Sequence, residues 1–477
     1  MADNPLAPAW LIEPDDANAF APGVWPASLS RADDGSVDVA GVDLSDLATR
    51  HGTPLYVLDE GEVRERAARA LAAFTTALES VGSSAEVYYA GKAFLSTEIV
   101  RWVTEQGLRV DVASGGELAV ALAAGIDPSR VGFHGNNKSA AEIDRAVAVG
   151  VGTIVIDSEQ EIERVADAAS AHGRVQRVRL RVRTGVHAHT HDFLATAHED
   201  QKFGVALSDA ERLVAVIRAH DGLEFVGLHC HIGSQIFGSD GFAESAARLI
   251  GVHARLLSSG AVPELNLGGG FGIAYTTADR PDDIEQLARH VAQVVAAECE
   301  NLGIPVPVVA FEPGRYIVGP AGITLYTVGT TKAVDLEVDG AAVQRLYVSV
   351  DGGMSDNARP ALYGADYSAR IVGRASDAAP VLVRVAGKHC ESGDIVVDAE
   401  YLPGDVAPGD LLAVAATGAY CWSLSSNYNY LPRPAVVAVH DGTDRVIVRG
   451  ETDDDLLARD VGVRATEGVR GAEGEGK

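Results

Sequence analysis

The sequence predicts an α/β protein: a (β/α)8 barrel followed by a second, all-β domain of sandwich or barrel-like form. Three observations carry this. From Pro54 to about Pro320 apolar strand-like runs alternate with amphipathic helical patterns. Eight of the runs end in glycine, polar or titratable residues, as barrel strands do where their carboxyl ends build a site. Beyond Pro320 strand patterns continue without helices. A doubly wound open sheet also alternates strand and helix. Eight repeats over roughly 250 residues favour the barrel.

Residues 1 to about 50 are rich in Pro, Asp and Ala and read as an arm with one or two short strands joining the β domain. Pro54 to Leu58 reads as the strand that opens the alternation, and Val63, Ala67, Leu71, Phe74 and Leu78 follow at helical spacing. The eight strands then end at Tyr89 to Lys92, Val110 to Ser114, Val131 to Asn136, Ile154 to Ser158, Val182 to Gly185, Leu228 to Ser234, Leu265 to Gly270 and Val309 to Arg315. The barrel is therefore expected over 51–320. A β domain is expected over 321–465, with strands at Ile323 to Thr331, Ala342 to Val350, Val381 to Val385, Leu411 to Ala415, Ala435 to Val439 and Arg445 to Val448. Residues 466–477 hold nothing apolar to bury and are expected to be disordered.

Composition excludes several classes. A net charge of -28 and 47% hydrophobic content describe an acidic globular chain, without the basic face that nucleic acid or an acidic membrane surface requires. The first residues lack a basic region followed by an apolar one, and no apolar stretch is long enough to span a membrane, so a cytoplasmic protein is expected. Cys230, Cys299, Cys390 and Cys421 lie far apart, which suits reduced thiols.

Lys92 ends the aromatic run VYYAGKAF. A lysine walled in by Tyr88, Tyr89 and Phe94 would lose solvation and could attack a carbonyl as a free amine, whereas most strand-end lysines are simply solvated. Gly268, Gly269 and Gly270 suit backbone N–H groups closing around phosphate, or a tight turn. Glu312 and Arg315 share one turn, as catalytic groups or as a structural ion pair. His231 reads as a buried histidine or as one lying flat against an aromatic cofactor. His187, His189, His191 and His198 fall in one loop with no acidic ligand at a recognised spacing, so no metal is expected and a lid is the preferred reading. In KHCESGD, basic neighbours could make Cys390 a proton donor or nucleophile; a buried cysteine is otherwise inert.

Six segments in order, YYAGKAF, GLHCHIGSQ, LNLGGGFGI, FEPGRYIV, CESGD and SSNYN, resemble the pyridoxal-phosphate barrel decarboxylases of the diaminopimelate type. The resemblance runs from Pro54 to Pro434, and the His-rich loop is similar to that family's lid. It implies that Lys92 carries pyridoxal 5′-phosphate, that His231 stacks on its ring and that Glu312 faces the ring nitrogen. It further implies that Ser234, Gly268 to Gly270, Gly314, Arg315 and Tyr428 hold the phosphate, with Asp111 a further pocket residue. Arg315, Arg359, Tyr363, Glu391 and Tyr428 would bind substrate: arginines suit its distal carboxylate and Glu391 its distal ammonium. The Cys390 loop would reach a partner's site, giving a homodimer with shared sites. The implied reaction is decarboxylation of meso-2,6-diaminopimelate to L-lysine. An ornithine or arginine type decarboxylase is the alternative within the class, but its substrates would leave Arg359 and Tyr363 nothing to bind. An alanine-racemase-like enzyme would set arginine, not Glu312, at the ring nitrogen; a non-catalytic carrier would lack the β domain.

Overall fold

The computed structural model describes residues 4–186, 201–338 and 340–463. Eight parallel strands close into a barrel: Ala85–Ala90, Arg109–Val112, Val131–Phe133, Thr153–Ile156, Gln176–Arg183, Leu223–His229, Glu264–Asn266 and Val308–Phe311. Each pairs with the next, and the eighth returns to the first through Val309, Ala310 and Phe311 against Ala85, Glu86 and Val87. These are the eight runs read from the sequence. Strands covered on both faces become short continuous apolar runs, such as Thr153–Ile156, whose four residues are all buried.

Helices cover the barrel, and several begin at a side chain that caps them. Ser96, Ser114, Ser139 and Asp283 each accept from a backbone N–H of the first turn, and Ser139 completes a reciprocal pair with Glu142. Such caps make a helix start immediately after a strand's polar end, keeping the strand-to-helix turns short around the barrel mouth.

The strand Leu55–Asp59 corrects the expected division of the chain. It lies not in the barrel but in the second sheet, antiparallel to Gly322–Leu325 and parallel to Val436–Val439. Locally it has the same apolar pattern as a barrel strand; which sheet it joins is decided by partners more than 260 residues away. The helix Glu60–Glu79 that follows it packs on the first barrel strand and on the helix Ile284–Leu302.

The second sheet runs in the order Ile395–Pro403, Pro380–Ala386, Ala341–Val350, Gly322–Val338, Leu55–Asp59, Val436–His440 and Thr443–Val448; Leu411–Val414 branches from Gly322–Val338 and carries Ala369–Ile371. Two of these strands, Ala369–Ile371 and Ile395–Pro403, were not expected. The latter carries Glu400 into the interior, where Arg370 Nη1 meets it at 2.9 Å. A charged residue obscures a strand pattern until its partner is known.

The N-terminal segment forms a small sheet of its own, Ser30–Arg31, Val37–Val39 and Val42–Asp43. Through Val24, Trp25, Val37 and Leu44 it packs on Leu55, Ile323, Leu411 and Val437 of the second sheet. No helix among the described residues is long and apolar enough to cross a membrane.

Candidate active site

At the carboxyl ends of the barrel strands, the turns bring four of the expected residues together. Lys92 lies in the short turn Gly91–Ala93 after the first strand. A Cβ at Gly91 would stand 2.7 Å from the Asp111 carbonyl, so glycine lets the Lys92 turn approach the second strand. Asp111 is buried at the end of that second strand, Glu312 directly follows the eighth and His231 follows the sixth.

The aromatic wall expected around Lys92 is absent. Lys92 is exposed. Tyr89 donates its hydroxyl to the Phe94 carbonyl at 2.5 Å, Phe94 meets Trp422 edge-on, and Tyr88 turns its ring to the guanidinium of Arg179 in the barrel interior. The aromatics are structural. The groups that face Lys92 electrostatically are Asp111, Glu117 and His231.

Glu312 is held by two histidines to which the sequence reading assigned no role. His229 Nε2 donates to Glu312 Oε1 at 3.0 Å, and His134 Nε2 lies 3.7 Å from the same oxygen and 3.0 Å from Asp111 Oδ1. Burial alone would raise the Glu312 carboxyl, but His134 and His229 outweigh it and hold it well below the usual carboxylate range. Burial, then the Glu312 charge, pushes Asp111 well above that range. One carboxylate thus stays ionised beside another whose ionisation is opposed. Desolvation lowers His134 and His229 to about 4 against the opposing pull of Glu312, and desolvation with Lys92 and Arg181 holds His231 well below its ordinary value. The signal for His134 and His229 was their position at strand ends three and six, beside residues already singled out.

The glycine turn is seamed to its neighbours on both sides. Gly268 N donates to Asn266 Oδ1 at 2.8 Å, Glu312 N donates to the Gly268 carbonyl at 2.9 Å and Ile236 N to the Gly270 carbonyl at 2.8 Å. Gly268 and Gly270 have φ of 72° and 114°, and a Cβ at Gly269 would stand 2.2 Å from the Glu312 carbonyl. This geometry ties the turn to the Glu312 strand end. Gly314 carries Arg315 beside it: Arg315 Nη2 donates to Ser234 Oγ at 2.8 Å, and Nη1 donates to the hydroxyl of Tyr275, a residue not singled out from the sequence.

From the second domain Arg359 begins the short helix Arg359–Tyr363, is buried and donates to Tyr367 Oη at 2.6 Å. Its guanidinium lies 4.5 Å from the ring of Tyr275, so Arg359 and Arg315 converge on one tyrosine. Tyr363, Cys390, Glu391 and Tyr428, by contrast, are exposed. Cys390 N donates to Asn429 Oδ1 at 3.1 Å, and His389 bonds Ser355 Oγ at 2.9 Å while its ring stacks on Tyr428. The Cys390 loop and Tyr428 therefore form one local unit on the surface of the second domain. The loop with His187, His189, His191 and His198, and the chain end from 464, lie outside the described residues.

Residues 61–319 match the family model of the pyridoxal-dependent decarboxylase pyridoxal-binding domain. The chain is 52% identical over 450 residues to a diaminopimelate decarboxylase of Mycobacterium tuberculosis, covering 93% of this chain and 98% of that one. It is 43% identical over 431 residues to a diaminopimelate decarboxylase of Bacillus subtilis, covering 90% and 95%. The solved diaminopimelate decarboxylase of M. jannaschii in complex with L-lysine superposes with a TM-score of 0.83 at 30% identity, over 91% of this chain and 98% of that one. With the closed barrel, the second sheet domain and the strand-end cluster around Glu312, this chain belongs to the diaminopimelate decarboxylase family of pyridoxal-dependent decarboxylases.

Proposed function

We infer that the protein is a pyridoxal 5′-phosphate-dependent carboxy-lyase converting meso-2,6-diaminopimelate to L-lysine and CO2, the last step of lysine biosynthesis. The observation that carries this reading is the buried Glu312 carboxylate, hydrogen-bonded to His229 with His134 beside it, in the same mouth as the exposed Lys92 amine. The residues fit the cofactor. Both Asp111 carboxylate oxygens and His229 Nδ1 are buried without a hydrogen-bond partner, the mark of a polar cluster built around a further group. When bound, pyridoxal phosphate supplies an electron sink for the pair released as CO2 departs.

Each residue then has a task. Lys92 would hold the cofactor covalently, His231 would lie against its ring, and Glu312 would keep the ring nitrogen protonated. Ser234, Gly268 to Gly270, Gly314 and Arg315 take the phosphate with Tyr428, and Asp111 completes the pocket floor. Arg315 and Arg359 bind the substrate's distal carboxylate, aided by Tyr363 and Tyr428; Glu391 takes its distal ammonium, and Cys390 delivers the proton that replaces CO2.

The exposure of Tyr363, Cys390 and Glu391 supports a homodimer in which this surface completes a second copy's site. Leu362 and Tyr430 beside them are 60% and 70% exposed, an apolar area suited to burial against a partner. A cytoplasmic location accords with a small-molecule biosynthetic role.

Purified protein incubated with pyridoxal phosphate and meso-diaminopimelate should release L-lysine and CO2 in equal amounts; neither product forming would end this reading. Borohydride reduction and peptide mapping should put the cofactor label on Lys92, and a label elsewhere would remove Lys92 from its role.

A further inference from the structure

Tyr275 stands between the two guanidinium groups assigned above to the substrate's distal carboxylate. It follows the glycine turn and is buried. Its hydroxyl accepts from Arg315 Nη1, its ring lies 4.5 Å from the Arg359 guanidinium carbon and 5.6 Å from that of Arg315, and its edge meets the ring of Tyr367 at 5.1 Å and 77°. Arg315 is further anchored by Ser234 Oγ and by the ring of Tyr420, 4.5 Å from its guanidinium carbon, and Arg359 by Tyr367.

Those partners are hydroxyls and ring faces, and none supplies a negative charge. Two cations this close repel each other unless something between them compensates. The electron-rich face of a tyrosine ring does so in part, and its phenol oxygen takes one N–H in addition. Tyr275 is itself fixed: its own N–H and that of Thr276 donate to Asp279 Oδ2 at 2.8 and 2.9 Å. The arrangement holds two guanidiniums in place while leaving their charge for a ligand.

We propose that Tyr275 is a positioning residue: it sets the spacing and tilt of Arg315 and Arg359, and through them the enzyme's preference for an amino acid bearing a second carboxylate. The inference rests on the assignment of those arginines to that carboxylate. Phenylalanine at 275 keeps the ring under Arg359 and frees Arg315 from the phenol, whereas leucine removes both contacts.

The test uses two ligands of equal length on the cofactor-loaded enzyme. L-Lysine carries the carboxylate that the arginines would bind; 1,5-diaminopentane lacks it. Competition against meso-diaminopimelate should show L-lysine binding weakened about tenfold in Tyr275→Phe and on the order of a hundredfold in Tyr275→Leu, the scale of hydrogen bonds to charged groups. Binding of 1,5-diaminopentane should change by less than about twofold, with cofactor absorbance and melting temperature of Tyr275→Phe at their wild-type values. Equal weakening of both ligands, or an unchanged affinity for L-lysine in Tyr275→Phe and Tyr275→Leu, would overturn the proposal. Arg359→Ala separates the two layers of the argument. If it leaves L-lysine binding intact, the carboxylate assignment itself fails; if it weakens binding and the Tyr275 variants do not, only the role of Tyr275 fails.

Discussion

At the scale of single residues, the proposed chemistry rests on one buried carboxylate, Glu312, whose pKa is held well below the usual carboxylate range. Glu312, after strand eight, is hydrogen-bonded to His229 at 3.0 Å, with His134 3.7 Å from the same oxygen, so the arrangement needs histidines after strands three and six as well. Removing Arg359 should then test recognition separately from chemistry. Arg359→Ala is expected to lose about ten- to a hundredfold in kcat/KM on diaminopimelate, from a charged hydrogen bond worth roughly 1.5–3 kcal/mol, while the cofactor spectrum stays unchanged. Unaltered kinetics would exclude Arg359 from the site. Away from the site, a further histidine contributes to acid stability alongside His134 and His229. His253 lies on the helix Asp240–Leu257 at the amino ends of the strands, beside Pro263 and Pro305, and desolvation lowers it from 6.5 to about 4. The folded state stays unprotonated there while the unfolded chain takes up a proton, so stability is full above about pH 6.5 and falls as pH drops towards 4. His253→Leu should flatten that fall by up to about 3 kcal/mol, at roughly 1.4 kcal/mol per pH unit, as read from urea unfolding between pH 7 and 4. An identical slope in the variant would mean other groups set the acid limb.

At the scale of elements, the fifth barrel strand shows how a regular pattern can point either way. Gln176–Arg183 alternates arginine with Val178, Leu180 and Val182. Amphipathic reading sends the arginines to solvent, yet Arg179 is fully buried in the barrel interior, where Glu264 Oε2 receives Nη2 at 2.7 Å and Nε at 3.0 Å. Tyr88 Oη adds a third contact at 3.2 Å. The apolar residues instead face the covering helices. Replacing Arg179 by leucine takes from Glu264 one of its two cationic partners, Arg177 Nη2 remaining on Oε1, so unfolding free energy should drop by about 1–3 kcal/mol. A loss below about 1 kcal/mol would mean that Arg177 alone compensates Glu264. In the sixth strand Gly227 lets its neighbour approach: a Cβ there would stand 2.1 Å from the Glu264 carbonyl. Gly227→Ala should therefore disturb the same region through the backbone.

At the scale of the molecule, the exposed Cys390 loop calls for a test of whether the proposed site is shared between chains. If Cys390 works in a partner's site while Lys92 works in its own, inactive Lys92→Ala and Cys390→Ala chains complement each other. Random pairing leaves about half the dimers mixed, each with one intact site of two, so roughly a quarter of wild-type activity should return once exchange of chains has been shown by pull-down of a tagged chain. A mixture that exchanges and stays inactive would place Cys390 outside the partner's site. Within one chain, the Asn429 and Ser355 contacts tie that loop to its own domain.

The sequence by itself determined the barrel, because parallel strands buried on both faces must be short apolar runs and their polar ends announce the mouth. All eight strand ends were legible, as were the strand-end positions of Lys92, Glu312 and the glycine turn, since each sits where one local pattern stops. Only the tertiary structure decided which residues share a contact. It turned the aromatics of VYYAGKAF away from Lys92, set His134 and His229 on Glu312, joined Arg315 and Arg359 through Tyr275 and moved Leu55–Asp59 into the second sheet. Periodicity is a property of neighbours in the chain, whereas strand pairing and the compensation of a buried charge depend on groups brought together from far along it.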